Sequence, residues 1–358
     1  MTVPFPLSSC RLATAKWAFT TRRVDHSAAT CLIGDLERAR PGDLVLGRVA
    51  SIGSHKKIQL TTGRGSELYP GDPVVLACGA RYAPDQFEGI AVLDPKGADM
   101  LAGGGVLGRM RQRNARMSQP TWIVPLGLIG RTPNQPLNTA DFTLDRVAPA
   151  PEMTVVGVVG ASMNAGKTTA VTSFVHGLVR AGHQVAALKA TGTGAFGDVN
   201  AYTDAGAQVV ADFVDTGMVS TYLEPVPRIL EGLETMLGHA ARAGCRIAVV
   251  ELADGVFQRE TAALLRSEHL RRRLSGLIFA APDALSATGG AAVLSELDLT
   301  PAAVTGMLTR SGLAMQEATA ATGLPMISRD ELMDPAKAAC LLRRIEAASR
   351  TGAEPLAA

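Results

Sequence analysis

The sequence GASMNAGKTT at residues 160–169 constrains the fold of this chain more than any other feature. An apolar run at residues 154–159 precedes it, and an amphipathic pattern over residues 167–181 follows it. This order predicts a strand, a turn and a helix, which is the context that a phosphate-binding P-loop requires. The alternative is a simple strand-to-helix turn whose lysine has no ligand.

Each residue type in this loop suits a phosphate ligand. Gly166 lets backbone N–H groups approach phosphate oxygens, Lys167 reaches the β- and γ-phosphates, and Thr168 offers its hydroxyl to Mg²⁺. The chain is therefore expected to bind ATP with Mg²⁺, with GTP and coenzyme A as alternatives. Nucleotide contacts are predicted for Gly160, Ser162, Met163, Asn164, Ala165, Gly166, Lys167, Thr168 and Thr169.

Apolar runs that suit buried strands alternate with helical patterns after the P-loop. This alternation predicts an α/β fold with a mainly parallel sheet covered by helices. Strands are predicted at 184–189, 208–213, 246–251, 276–280 and 303–308, and a helix at 227–243.

Short β-rich runs separated by turns dominate the first part of the chain, and two of them follow Pro-Gly-Asp turns. They predict a smaller β-rich domain, built as a barrel or a sandwich, over residues 1–150. A proline-alanine stretch at 147–151 suits a linker, so a P-loop domain is predicted at 151–346, followed by a disordered tail at 347–358. The predicted strands of the first domain are 44–52, 57–61, 74–77 and 90–93.

Composition and charge exclude several classes of protein. Hydrophobic residues make up 47% of the sequence, but no apolar run approaches the roughly 20 residues that a membrane span needs. The start of the chain lacks the pattern of a secretory signal, so a cytoplasmic location is expected. Five scattered cysteines and six histidines show no metal-ligand spacing.

Charge is unevenly distributed along the chain. Residues 1–150 hold 18 Lys and Arg against 12 Asp and Glu, although the whole chain has a formal net charge of only +2. Few aromatic residues accompany the basic ones, which disfavours nucleic acid as a partner. The arginine cluster at residues 109–116 is interpreted as a solvated basic face, with an anionic-substrate pocket as the alternative.

The loop at residues 160–169 resembles the P-loop of dethiobiotin synthetase and its relatives in the SIMIBI class of P-loop proteins. The segments Leu188–Gly194 and Val209–Val214 further resemble an uncharacterised P-loop family that includes N-acyltransferases acting on D-glutamate. The resemblance covers about residues 153–310. It implies that Lys189 has a catalytic or phosphate-neutralising role, and that the segment containing Thr309 contacts the nucleobase.

Ionisable residues at the ends of predicted strands are the candidate catalytic and metal-binding groups. Lys189 ends the second strand, at the edge where ligands gather beside a P-loop. Glu251 ends an apolar strand, and P-loop proteins keep a carboxylate for magnesium at that position. With Lys167, these two residues and Asp254 form the predicted catalytic set.

The predicted metal ligands are Thr168, Glu251 and Asp212. Asp212 lies within an apolar run, where a buried carboxylate needs a cation as its partner; the alternative is an exposed position at the end of the strand. Asp198 and Asp204 fall in a glycine-rich segment, where they suit either substrate and metal contacts or solubility alone.

Three functions are compatible with these features. The main prediction is a ligase- or kinase-like enzyme that uses ATP to phosphorylate or activate a small metabolite bearing a carboxylate or an amine. The first alternative is a nucleotide-switched assembly or carrier ATPase or GTPase, which suits a homodimer. The second is an acyltransferase whose P-loop binds the phosphates of coenzyme A.

Overall fold

A computed structural model describes residues 5–6, 12, 14–147 and 152–351 of the chain. The chain divides into two compact units. Unit 1 consists of residues 1–144 with the segments 192–197 and 213–223, and unit 2 consists of residues 145–191, 198–212 and 224–358. Most of the predicted linker, at 148–151, lies outside the described residues.

Unit 1 is built from short strands. Its strands are β1 (Phe5–Pro6), β2 (Lys16–Trp17), β3 (Cys31–Ile33), β4 (Leu44–Ser51), β5 (Lys57–Gln59), β6 (Gly65–Glu67), β7 (Pro73–Cys78), β8 (Phe87–Ile90), β9 (Ala98–Ala102), β10 (Val106–Arg113), β11 (Thr121–Thr132) and β12 (Gln135–Pro136). Short 3-10 helices lie at Phe19–Thr21, His26–Ala28, Thr139–Phe142 and Phe213–Thr216.

Five of these strands close into a ring in the order β11, β4, β7, β10 and β9, because β9 pairs with both β10 and β11. The ring has the closed pairing of a small barrel, the first of the two architectures expected for this region. Its interior is apolar and includes Val45, Leu76 and Ile123, each of which is fully buried. Burial of such side chains is the main stabilising term of a barrel core.

The strand predicted at 90–93 is misplaced, since β8 ends where that prediction begins. The N–H of Val92 donates a hydrogen bond to the carbonyl of Ile90 at 2.9 Å, so the chain turns immediately after Ile90. A second turn closes between Asp94 and Gly97. Turn formation therefore takes precedence over the strand propensity of this apolar run.

Unit 2 alternates strands and helices. Its strands are β13 (Thr154–Gly160), β14 (Val185–Lys189), β15 (Val209–Asp212), β16 (Ile247–Glu251), β17 (Gly276–Ala280) and β18 (Ala303–Thr305). Its helices are α1 (Lys167–Arg180), α2 (Phe196–Asp204, which begins in unit 1), α3 (Val226–Arg242), α4 (Arg259–Arg266), α5 (Glu268–Arg273), α6 (Ala284–Ser295), α7 (Gly312–Thr322), α8 (Arg329–Met333) and α9 (Pro335–Thr351), with a 3-10 helix at Met307–Arg310.

The six strands of unit 2 form one parallel sheet in the order β15, β14, β16, β13, β17 and β18. The predicted α/β class with a parallel sheet is confirmed. Because the strands are parallel, their carboxyl ends share one edge, and the P-loop follows the central strand β13 at that edge. Ligands of open α/β sheets bind there, at the point where strand order reverses.

Three details of unit 2 differ from the sequence-based expectations. β18 ends at Thr305, earlier than predicted, because Gly306 adopts a left-handed φ of 104° and turns the chain. The glycine-rich segment after β14 contains the helix α2, which places Asp198 in a helical first turn. The final helix continues to Thr351, so the predicted tail is helical at its start, and residues 352–358 lie outside the described residues.

No helix in the described part of the chain is long and apolar enough to cross a membrane.

Candidate functional site

The P-loop connects β13 to α1 with a backbone that brings N–H groups to one point. Gly166, the N-cap of α1, has a φ of 107°, and Asn164 has a φ of 64°. Left-handed conformations of this kind turn successive amides toward a common concavity, where a helix N-terminus also favours anions. Ser162 and Asn164 are exposed, and Ala165 is buried beneath the loop.

Lys167 is nearly buried at the start of α1. Its Nζ donates hydrogen bonds to the carbonyl of Ser162 at 2.8 Å and to the carbonyl of Asp254 at 2.5 Å. Burial lowers the pKa of Lys167, against the opposing effect of Glu251 and Asp254. Two backbone oxygens thus hold the ammonium group across the loop. These oxygens are the acceptors that phosphate oxygens of a bound ligand are expected to replace.

Asp198 links two of the predicted site residues. The Thr168 hydroxyl donates to Asp198 Oδ1 at 3.0 Å, and Lys189 Nζ forms an ion pair with the same carboxylate. Lys189 Nζ also lies 3.4 Å from Glu251 Oε1. Burial by itself would lower the pKa of Lys189, but Glu251 and Asp198 raise it above its usual value, so this lysine is a cation in the site.

Glu251 lies 2% exposed at the end of β16 and is bound by Tyr202 as well as by Lys189. The Tyr202 hydroxyl donates to Glu251 Oε2 at 2.5 Å, and the tyrosine ring is fully buried. Burial and the charge of Glu251 raise the pKa of Tyr202 well above its usual value. Tyr202 therefore remains a neutral donor to this carboxylate.

Asp212 is buried at the end of β15, where it pairs in register with Lys189 of β14. Its charge contributes to the raised pKa of Lys189, which is consistent with the predicted need of Asp212 for a cationic partner. Asp204 lies exposed at the other end of α2 from Asp198. Of the two acidic residues in the glycine-rich segment, the structure brings Asp198 to the P-loop.

Asp254 lies in the segment Leu252–Gln258, here called the Asp254 loop, which follows β16. Its φ is 65°, a left-handed conformation that aspartate tolerates better than most residues. Burial raises the pKa of Asp254 to about 6, although Lys167 and Lys189 oppose this effect. The main-chain oxygen of Asp254, and not its carboxylate, contacts Lys167.

Tyr202 is absent from the sequence-based predictions, and Asp198 appears there as a substrate or metal contact, outside the catalytic and metal-ligand sets. Both lie on α2, four residues apart and therefore on one helix face. The i, i+4 spacing is visible in the sequence, but the glycines before Phe196 favoured a loop there. The missing signal was the helix itself.

A cavity of about 380 Å³ lies beside the P-loop and is lined by none of Lys189, Asp198 and Glu251. Gly166, Thr169 and Ala170 form one wall, and the turn that contains the predicted nucleobase contact Thr309 forms another. The Thr309 hydroxyl donates to the Gly306 carbonyl at 2.9 Å, which fixes that turn. The remaining wall is contributed by Ser328, Arg329, Asp330 and Leu332. The cavity therefore meets the first turn of α1 next to the P-loop.

The donor set beside Thr168 fits magnesium. Mg²⁺ prefers oxygen ligands and usually takes only one or two from the protein, with water and phosphate supplying the rest. The Thr168 hydroxyl and the Asp198 carboxylate are such a pair, within hydrogen-bonding distance of each other. Among the described residues no three His, Cys, Asp or Glu side chains gather as a metal cluster.

Comparisons with known proteins give limited information. No family model and no curated protein matches the sequence. The signal recognition particle 54 kDa protein of Aeropyrum pernix in complex with GDP is 19% identical, with a TM-score of 0.36 over 57% of this chain and 52% of that chain. FtsY of Thermotoga maritima is 16% identical, with a TM-score of 0.35 over 57% of this chain and 73% of that one.

A third solved structure, the signal recognition particle receptor FtsY of Elizabethkingia anophelis with GDP, is 13% identical and has a TM-score of 0.37 over 53% of this chain and 63% of that chain. This chain spans about half the length of the first of these structures. At such values the likeness assigns no activity or partner to this chain.

These comparisons correct one prediction and leave others open. The prediction of an ATP-dependent ligase- or kinase-like enzyme is not borne out: the solved structures found are a signal recognition particle protein and FtsY proteins, and none of these is named as a ligase or a kinase. A small-molecule substrate has no support from them. The resemblances to dethiobiotin synthetase and to D-glutamate N-acyltransferases are not shown, and the homodimer and the cytoplasmic location stay predictions.

Proposed function

We propose that unit 2 binds a nucleoside triphosphate with Mg²⁺ and acts as a nucleotide-dependent switch, the first alternative drawn from the sequence. One observation carries this proposal. Lys167 Nζ is bonded to the carbonyls of Ser162 and Asp254, and an ammonium group has only three donors. One donor is left, so Lys167 can contact both the β- and the γ-phosphate of a bound triphosphate only if it releases at least one of these carbonyls.

The Asp254 loop is packed so closely on the P-loop that this exchange affects its position. A Cβ atom at Gly255 would lie 2.4 Å from the carbonyl oxygen of Ala161, which leaves no room for a side chain. The Val256 N–H donates to the Gly160 carbonyl at 3.1 Å. If the carbonyl that Lys167 releases is that of Asp254, the loop loses its third contact with the P-loop. Nucleotide binding then changes the free energy of the docked conformation of the loop.

A second exchange is expected at Thr168. Its hydroxyl and the Asp198 carboxylate would hold the metal ion, which supplies charge neutralisation to the phosphates when it is bound. Asp198 is also the ion-pair partner of Lys189. When its carboxylate binds a metal ion beside Thr168, it shares its negative charge between the metal ion and Lys189. Lys189 then offers part of its positive charge to the γ-phosphate side of the loop. Both exchanges respond to the same ligand.

Hydrogen–deuterium exchange of the full chain tests the switch. The Val256 amide, which is hydrogen-bonded in the structure, should change its exchange rate when Mg²⁺ and a non-hydrolysable nucleoside triphosphate are added. The Lys167→Ala variant should lose this response and bind a fluorescent nucleotide roughly tenfold to a hundredfold more weakly, since it lacks a charge-assisted hydrogen-bond donor. Lys57→Ala, which removes a lysine that is 66% exposed and does not line the cavity, is the matched control.

Two results would contradict the proposal. The first is nucleotide binding that depends on Lys167 but leaves the exchange of the Asp254 loop unchanged, which would indicate a static site. The second is binding of coenzyme A in preference to nucleoside triphosphates, which would favour the acyltransferase alternative.

A further inference from the structure

A second cavity, of about 530 Å³, lies in unit 1. The apolar part of its wall belongs to the core of the small barrel or packs against it, and consists of Leu36, Ala39, Ala91 and Leu93. The cavity is thus an opening of the barrel core toward the surface. Mouths of barrels are common places for small ligands, and the volume falls within the usual range of such sites.

Hydrogen bonds within two turns fix the sides of this cavity. The N–H of Ala39 donates to the carbonyl of Leu36 at 3.1 Å, which closes the turn on one side. On the other side, the N–H of Gly97 donates to the carbonyl of Asp94 at 2.9 Å, and the N–H of Lys96 donates to Asp94 Oδ1 at 2.8 Å. The Asp94 carboxylate is therefore held in place by its own turn.

Three charged side chains complete the lining, namely Glu37, Asp94 and Arg109. In the described part of the chain, Arg109 forms no ion pair with either acid, and neither its guanidinium group nor the Glu37 carboxylate has a hydrogen-bond partner. Burial raises the pKa of the nearby Asp99, although the charge of Arg109 opposes this effect, and Asp99 accepts the N–H of Met110 at 2.8 Å. Opposite charges thus line one cavity without pairing with each other.

This arrangement of charges is complementary to a zwitterion. A ligand with only a carboxylate would face the two protein carboxylates, and a ligand with only an amine would face the guanidinium group of Arg109. Like charges that face each other weaken binding. A free amino acid carries both groups on one carbon, so each of its charges finds an opposite one. The terminus of a peptide offers only one of the two charges.

We propose that this cavity binds a free amino acid with an apolar side chain. The ligand carboxylate pairs with Arg109, its ammonium group pairs with Asp94, and its side chain packs against Leu36 and Leu93. An acidic side chain would lose its hydration against this apolar wall without gaining a partner. Of the four arginines at residues 109–116, Arg109 lines the cavity, so the alternative of an anion-binding pocket applies to this residue.

Isothermal titration calorimetry of the full chain without nucleotide tests the proposal. Each enantiomer of leucine is compared with N-acetylleucine, which lacks the ammonium charge, and with leucine amide, which lacks the carboxylate. One enantiomer of leucine should bind at least roughly tenfold more tightly than either analogue, since each analogue loses one charge-assisted contact. Glutamate should bind more weakly than leucine, because its side chain is charged.

Two conservative variants assign the charges of the ligand to their partners. Arg109→Gln should weaken leucine binding by roughly tenfold without weakening that of leucine amide, which does not use the guanidinium group. Asp94→Asn keeps an acceptor for the Lys96 N–H, so the turn is retained, and it should weaken leucine but not N-acetylleucine. Arg111→Gln is the matched control, because Arg111 is exposed on the same strand and does not line the cavity.

Four results would overturn the proposal. They are the absence of leucine binding at millimolar concentration, an analogue that binds as tightly as leucine, glutamate that binds more tightly than leucine, and an effect of Arg109→Gln no larger than that of Arg111→Gln. Because nucleotide is absent from every titration, none of these results depends on the proposed switch.

Discussion

The phosphate side and the base side of the candidate site are built differently. On the phosphate side, Lys189, Asp198, Glu251 and Tyr202 satisfy one another at the carboxyl ends of neighbouring strands and on α2. On the base side, Asp330 faces a cavity without a protein partner among the described residues. A ligand must therefore displace existing contacts on one side, and it adds new contacts on the other.

This difference separates the two tasks of a ligand site, which are to change the protein when the ligand binds and to bind the ligand. In the proposed switch, exchange of contacts at Lys167 and Asp198 would convert nucleotide binding into a change of the protein, whereas a carboxylate without a protein partner would bind a ligand without rearrangement. Loss of a phosphate-side residue should affect the stability of the sheet edge as well as binding. Loss of a base-side residue should affect mainly binding.

The largest stability effect is expected from Lys189→Met, which keeps the aliphatic part of the side chain and removes its charge. Asp198 and Glu251 would then lose the cation with which they pair, close to the acidic Asp212, at a cost of about 3–5 kcal/mol. Urea unfolding followed by circular dichroism measures the loss. Lys337→Ala, which breaks an exposed ion pair on the base side, should cost less than about 1 kcal/mol. Similar losses in the two variants would contradict the comparison.

Tyr202→Phe tests the same network with a smaller change. The variant removes only the hydroxyl that donates to Glu251 Oε2 and leaves that buried oxygen without its donor. The expected loss of stability is about 1–3 kcal/mol, measured by the same unfolding experiment. Tyr69→Phe is the matched control, because Tyr69 is 63% exposed. An unchanged stability of Tyr202→Phe would mean that the tyrosine does not support Glu251.

Sequence patterns predict the phosphate side better than the base side, and the reason is the distance along the chain. Gly166, Lys167 and Thr168 act through one local strand-turn-helix unit, so their spacing suffices. Tyr202 reaches Glu251 across 49 residues, and only the folded sheet brings them together. Asp330 belongs to no motif, because its place beside the P-loop depends on the turn at Gly306 and on the capping of α8.

The predicted strands show the same dependence on local and distant information. β13, β16 and β17 agree closely with their apolar runs, because strands buried on both faces give a continuous signal. The helix α2 was missed because Gly192, Gly194 and Gly197 favour a loop. Those glycines do not indicate that the helix brings the Tyr202 hydroxyl and the Asp198 carboxylate to the neighbouring residues.

The stability of the protein should fall as the pH rises, because the carboxyl group of Asp254 is buried. Its carboxyl pKa is raised to about 6 from 3.8, largely by burial, so the folded protein binds more protons than the unfolded chain between these values. Stability conferred by the neutral form is present at low pH and is lost as the pH rises through about 6. Asp254→Asn, which tolerates the left-handed φ, should therefore match the wild type at low pH and exceed its stability by roughly 1–2 kcal/mol at neutral pH.

Urea unfolding of both proteins from acid to neutral pH measures this difference, with Asp298→Asn as an exposed control. A difference that stays constant with pH would contradict the burial of the Asp254 carboxyl group. A difference of the expected form would mean that the charge of Asp254 makes the stability of the phosphate side depend on pH. The same loop is also held by its hydrogen bond to Lys167.

The smallest effect is expected on the base side, from Ser328→Ala. The variant removes the N-cap hydroxyl that accepts from the Glu331 N–H at 3.3 Å and donates to the Glu331 carboxylate. The loss at the start of α8 should be about 1 kcal/mol, seen as faster exchange of the Leu332 amide, which is bonded to the Ser328 carbonyl. Because Ser328 and the start of α8 line the cavity, nucleotide affinity should also weaken.

Asp283→Ala removes the N-cap of α6, outside the cavity, and it should cost similar stability without any effect on nucleotide affinity. If both variants reduce the affinity equally, helix stability in general, and not the wall of the cavity, determines binding. If only Ser328→Ala reduces it, the start of α8 supports the cavity wall to which Ser328 itself belongs. That result would complete the contrast with the phosphate side, where the groups proposed to bind the ligand also hold the strand ends together.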